Sequence, residues 1–137
     1  MKYGFDLTFT SEMSEFKNTM NQIGIFFSQE CQKFTPEDLF ELKLIFDELL
    51  CNAVIHGNKL DKTKNVTVTI RVDADMIYGK ILDEGCGFPN CNSIPNCDDT
   101  DSEHGRGVKI VAALTKKLTF LGEGNEVEFY KKVTLNG

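Results

Sequence analysis

Glu48, Asn52 and His56 are spaced by four residues, so on a helix they form one ridge. Asn52 is a poor helix former, and between Leu49 and Val54 it lies near the apolar side of that helix. A half-buried Glu and Asn on one ridge need partners. A divalent cation with phosphate would supply them, because an amide oxygen suits Mg2+, which takes few protein ligands and keeps water and phosphate oxygens. Glu48 could then orient or deprotonate an attacking hydroxyl. A plain surface Glu–Asn pair fits the same spacing, and His56 equally suits the last carbonyls of its helix.

Two glycine runs add to this. Asp83 ends the apolar pair Ile81-Leu82 and opens Asp-Glu-Gly-Cys-Gly, residues 83 to 87. A carboxylate there can accept a hydrogen bond from an exocyclic amine such as that of adenine, and Gly85 and Gly87 let the backbone approach a flat base. A simple turn is the alternative reading. Gly105-Arg106-Gly107 leads into Val108 and Lys109, and glycines opening a helix leave N–H groups and the positive dipole end free for an anion. Arg106 can grip a phosphate with two prongs. The spacing fits neither the dinucleotide fingerprint nor the P-loop.

These residues need a scaffold. Phe5, Leu7 and Phe9 alternate with polar neighbours and predict a short strand. Met13, Phe16, Met20, Ile23 and Phe27 mark one buried face of a first helix, with Ile25 and Phe26 off that stripe. Thr35 is the expected N-cap of a second helix, Pro36 its first residue, and Leu39, Leu42, Phe46, Leu49 and Ala53 its inner face. His56 and Gly57 close it, with Gly57 as a left-handed C-cap. Val66 to Arg71 and Ile77 to Leu82 predict two strands around a turn at Asp73 to Asp75. Val108 to Lys117 predicts a third helix, with Ile110, Val111 and Leu114 inward. Leu118 to Leu121 and Val127 to Val133 predict a terminal hairpin. The order β-α-α-β-β-loop-α-β-β implies an α+β two-layer sandwich, a mixed, mostly antiparallel sheet packed on three helices. Between Glu84 and Arg106 lie two of the three prolines and three of the five cysteines without any period, the anatomy of a lid over a ligand.

The chain has 137 residues, which suits one domain over residues 1–137, and a net charge of -6, which excludes a broad nucleic-acid surface but leaves room for a small basic pocket. No run has the length of a membrane span and none reads as a signal peptide, so a cytoplasmic protein with reduced thiols is expected. Cys86, Cys91, Cys97 and His104 hold the atoms of a zinc site, but their spacing does not match the usual short knuckles.

Three stretches in fixed order carry a resemblance: FDELLCNAVIHGN (46–58), DEGCGF (83–88) and HGRGVKIV (104–111). They look like the N box and the two glycine boxes of the Bergerat-fold ATPases, the GHKL superfamily, and the chain most resembles that superfamily's anti-sigma factor serine kinases. The resemblance implies ATP and Mg2+ as cofactors and Glu48 as general base. It implies Asn52 as Mg2+ ligand, Asp83 as adenine contact and residues 88–104 as lid. It implies a base pocket shaped by Gly85 and Gly87, and a triphosphate cradle of Gly105, Arg106, Gly107 and Val108, with His56 beside the nucleotide. Where many members have Thr after the last hairpin's glycine, this chain has Asn125, which can still hydrogen-bond toward adenine through water. The implied partners are a sigma factor and a small antagonist protein phosphorylated on serine, and the implied assembly is a homodimer. A detached histidine-kinase domain is the neighbouring reading, but Ile55 stands where histidine kinases carry a basic residue. A nucleotide-gated binding module without transfer is the other.

Overall fold

The computed structural model describes residues 2–30, 33–85, 102–122 and 125–134, apart from the side chains of residues 2, 30 and 102–106. Five strands form one sheet: β1 (Lys2–Thr10), β2 (Asn65–Asp73), β3 (Met76–Leu82), β4 (Lys117–Leu121) and β5 (Glu126–Lys132). Their order across the sheet is β1-β2-β3-β5-β4, and all four ladders are antiparallel. Helices α1 (Met13–Glu30), α2 (Pro36–Cys51) and α3 (Ser102–Leu114) supply the second layer. The α+β sandwich is therefore as expected, with no parallel pair among the described strands.

Alternation sets the inner face. Val66, Val68, Ile70 and Val72 of β2 are buried, as are Ile77 and Ile81 of β3 and Val127 and Phe129 of β5. Against them sit Ile23 and Phe27 of α1 and Leu42, Phe46, Leu49 and Leu50 of α2. Aromatic rings thread the layer, from Phe26 to Phe27 (5.3 Å between centroids), Phe27 to Phe46 (6.0 Å) and Phe46 to Phe129 (5.2 Å). Phe26 is buried against Phe5, whereas Ile25 stays exposed. The sheet's outer face is polar and largely self-paired. Arg71 meets Asp6 at 2.9 Å, Lys80 meets Glu126 at 3.5 Å, and Lys132 meets Asp75 at 3.9 Å. Tyr78 donates to Glu128 there at 2.7 Å.

Helix α2 starts as predicted. Asp38 N–H donates to Thr35 Oγ1 at 3.1 Å, with Pro36 in the first turn. Its end differs. After Cys51 the chain widens into a π-helical turn, Asn52–Gly57, closed by Asn58 N–H to the Ala53 carbonyl and Leu60 N–H to the Val54 carbonyl. Gly57 is not the left-handed cap; Lys59 (φ 55°) and Leu60 (φ 59°) take that conformation. The wider turn delays the reversal by two residues, and Gly57 serves a close approach instead.

Helix α3 also differs. It begins at Ser102, six residues before Val108, and ends at Leu114 rather than Lys117, which lies in β4. Ser102 and Glu103 continue the helix, where the glycine pair suggested a break. Val111 points inward as expected, but Ile110 is 37 % exposed. The end of α3 is held by Lys131, an inward-facing lysine of β5 that is only 4 % exposed. Its Nζ donates to the Leu114 carbonyl at 3.1 Å and to Glu41 Oε1 at 2.7 Å, joining α3, α2 and the sheet. Asp38 adds a second tie, accepting from Thr134 N–H at 2.7 Å.

Candidate functional site

The described parts of the second and third stretches each touch the first, Gly107 of α3 at Glu48 and the Asp83 segment at Gly57. Residue 107 is glycine where α3 passes Glu48: a Cβ there would lie 3.0 Å from Glu48 Cδ and nearer still to Oε2. The Glu48 carboxylate thus rests against the α3 backbone, and no larger residue fits at 107 while it stays there. Burial, and then the negative charge of Asp47, push the Glu48 carboxyl above its ordinary pKa. Burial raises Asp47 as well. Cys51, one turn further on, has its thiol raised by burial and by both carboxylates, so it stays protonated.

Asn52 opens the π-turn and is half-buried, and its backbone N–H donates to the carbonyls of Glu48 and Leu49. His56 lies in the last part of the turn and is exposed. At the far end, Asp83 leaves β3 and turns its carboxylate onto Gly57. A Cβ on Gly57 would meet Asp83 Oδ2 at 2.5 Å, and one on Gly85 would collide with the Gly57 carbonyl. Gly85 N–H donates to Asp83 Oδ1 at 2.8 Å. Burial raises the Asp83 carboxyl to about 6, with the Gly85 N–H and the charge of Lys64 pulling the other way. A carboxylate wedged between two glycines, with Oδ1 engaged, keeps Oδ2 lone pairs for a further donor.

Asn125 reaches this segment too, but through the main chain. Asp83 N–H donates to the Asn125 carbonyl at 2.9 Å, and Asn125 Nδ2 donates to the Asp83 carbonyl at 3.1 Å. It therefore holds Asp83 in place, using one of its two amide N–H donors. Gly105, Arg106 and Gly107 lie inside the first two turns of α3 rather than ahead of it. In a helix starting at Ser102, Gly105 carries the last of the four free N–H groups, and those of Arg106 and Gly107 belong to the helix ladder. Val108 follows, half-buried. Gly87, Cys86, Cys91, Cys97 and most of the expected lid lie outside the described residues, as does the His104 side chain.

Sequence reasoning missed the residues that hold these parts together. Asn58 is 1 % exposed, and its side chain bonds to Ser11, Asn65 and Glu84. Ser11, fully buried, donates a hydrogen bond from its hydroxyl to the Lys64 carbonyl at 2.8 Å. The only sequence signal was an amide directly after the Gly57 helix end.

The donor set fits a magnesium nucleotide. Glycine cradles that a Cβ would fill flank both carboxylates, and an amide side chain sits one turn from Glu48. Mg2+ needs only one or two protein oxygens when phosphate supplies the rest. Among the described residues no three His, Cys, Asp or Glu side chains gather into a metal-ligand set. Nor is any helix there long and apolar enough to cross a membrane.

Comparison with known proteins agrees with this geometry. The family model described as "Histidine kinase-like ATPase domain" matches residues 19–131. An anti-sigma F factor of Bacillus licheniformis is 36 % identical over 56 residues, 41 % of this chain and 38 % of that protein's length. That of Geobacillus stearothermophilus is 30 % identical over a stretch of the same size. That of Lysinibacillus sphaericus is 27 % identical over 105 residues, 72 % of each chain. Since the family match runs from within α1 almost to the end of β5, it takes in every element that meets at Glu48, Asp83 and Gly107, and the chain belongs to the histidine kinase-like ATPase domain family.

Proposed function

We propose that this chain is an ATP- and Mg2+-dependent protein serine kinase that also acts as an anti-sigma factor. In this reading it sequesters a sigma factor and phosphorylates a serine on a small antagonist protein. The observation that supports the reading is the contact of Glu48 with Gly107, because it sets a carboxylate beside the glycine-bearing helix that this scheme turns toward the phosphates. The names of the relatives, all anti-sigma F factors, support the partner class.

Asp83 accepts from the adenine amine in this scheme, with Gly85 and Gly87 shaping the pocket around the base. Asn52 would hold Mg2+; Gly105, with the last free N–H of α3, and the charge of Arg106 would contact the triphosphate, with Gly107 and Val108 following in the helix and His56 beside it. Mg2+, when bound, neutralises charge on the transferring phosphoryl group. Glu48 takes the proton of the serine hydroxyl as its oxygen bonds to the γ-phosphorus and ADP leaves. A carboxyl raised toward neutral pH is a stronger base than an ordinary one. In this reading the protein works in the cytoplasm without direct nucleic-acid or membrane contact, and residues 1–137 act as one unit.

Two measurements test this. ATP with Mg2+ at about one hundred times its dissociation constant should stabilise the fold by about 2.7 kcal/mol, and no shift at millimolar ATP removes the nucleotide reading. Labelled ATP and candidate antagonist proteins should yield an acid-stable phosphoserine. An acid-labile product would instead mean transfer to histidine, and no product would leave a nucleotide-gated binding module.

A further inference from the structure

Asn58 occupies a position that the nucleotide scheme does not use. It follows Gly57, whose missing Cβ admits the Asp83 carboxylate. Its Oδ1 accepts from the N–H of Glu84, the residue after Asp83, at 2.8 Å. Its Nδ2 donates to Ser11 Oγ at 2.7 Å and to the Asn65 carbonyl at 2.9 Å. The amide orientation is fixed, because a backbone N–H faces one end and a backbone carbonyl the other. Its main chain is engaged as well, with N–H on the Ala53 carbonyl and carbonyl on Asp61 N–H. Glu84 is gripped a second time, its carboxylate accepting from Asn65 N–H at 2.5 Å.

Asp83 is therefore clamped on both flanks. Asn125 holds its own N–H and carbonyl, and Asn58 holds the next peptide. The Asn58 clamp also fixes the chain just before Lys59 and Leu60, two side-chain-bearing residues in the left-handed region. A buried side chain with three hydrogen bonds, to Ser11, Asn65 and Glu84, keeps that unfavourable backbone in place.

We propose that Asn58 is a positioning residue for base recognition: by tying the end of the π-turn to Glu84, it sets the Asp83 carboxylate where an exocyclic amine can reach it. This rests on the reading of Asp83 as the adenine contact. The two are separable with inosine triphosphate, which carries a carbonyl oxygen in place of the amine. Wild-type protein should prefer ATP over inosine triphosphate by about tenfold or more. Equal binding by the wild type would refute the Asp83 reading itself.

In Asn58→Ala, ATP affinity should fall to within about threefold of that for inosine triphosphate, while the latter changes less than about twofold. A general loosening would weaken both nucleotides alike and would overturn the proposal, as would an unchanged preference. Ser11→Ala removes one Asn58 partner but leaves the bond to Glu84, so it should melt lower and keep the wild-type preference. If Asn58→Ala does not fold, Asn58→Ser keeps a polar group yet is too short to reach Glu84. Hydrogen exchange on the wild type provides a readout without a variant. The Glu84 amide should exchange slowly although its residue is exposed, and exchange at the rate of a free loop amide would overturn the clamp.

Discussion

Gly107→Ala measures the contact between α3 and Glu48 without any partner protein. Alanine in place of glycine inside an exposed helix is worth about 1 kcal/mol. Here the new methyl would sit 3.0 Å from Glu48 Cδ and closer to its Oε2. The carboxylate must retreat by about 1 Å to restore ordinary contact. Glu48 is the flexible end of a half-buried side chain, so it can move at a cost of about 0.5–1.5 kcal/mol in rotamer strain. Gain and cost nearly cancel, and Gly107→Ala alone should leave stability close to wild type. In a Glu48→Ala background the obstacle is gone, and the same substitution should gain about 1 kcal/mol, or roughly 3–5 °C in melting temperature for a chain of this length. Denaturant melts of the four proteins in the cycle give the coupling directly, expected near 1 kcal/mol. Additivity within about 0.3 kcal/mol would mean that Glu48 and Gly107 do not touch, and the placement of Glu48 against α3 would be wrong.

Glu48→Gln should lower phosphoryl transfer by about 10²–10⁴-fold while ATP affinity, read by titration, stays within about twofold. Asp83 should make pH act in opposite directions on stability and binding. Burial holds its folded pKa at about 6, against about 3.9 in the unfolded chain, so the folded protein binds the proton more tightly. Its contribution to stability is complete below about pH 4 and is lost as pH rises through 6, whereas ATP affinity climbs as the carboxylate ionises. Thermal melts and ATP titrations across that window check both slopes, and Asp83→Asn should flatten them. Lys131→Met should cost about 2–4 kcal/mol in urea melts, since it leaves Glu41 and the Leu114 carbonyl without their buried cation.

Much of the fold was legible because period reports burial. Val66, Val68 and Ile70 alternate, Leu42, Phe46 and Leu49 recur at helical spacing, and each is buried where that spacing puts it. The Thr35-Pro36 start was legible because capping is local chemistry. What failed was punctuation. Gly57 and Gly107 both read as breaks, yet each sits inside a helical turn, because a glycine needed for close approach looks the same in sequence as one needed for a bend. Glu48 and Asp83 were singled out by their neighbours in sequence. Asn58, Ser11 and Lys131 were not, since their partners lie 47 residues away for Asn58 with Ser11 and 90 for Lys131 with Glu41. Nothing local distinguishes a buried amide or a buried lysine from a solvated one.

The paired charges on the sheet's outer face determine where the acidity of this protein resides. Asp6, Glu126 and Asp75 are each answered by a cation, so that face is close to electrically neutral. Helix α2 is different. It carries Glu37, Asp38, Glu41, Asp47 and Glu48 against Lys43, and among the described residues only Glu41 of these acids is answered by a cation from the sheet, Lys131. Helix α2 thus presents an acidic surface, and its field attracts basic surfaces toward the side that contains Glu48. A partner with a basic face would be turned toward that side during diffusion, before any contact forms. Its association rate should then fall steeply with added salt while its dissociation rate changes little.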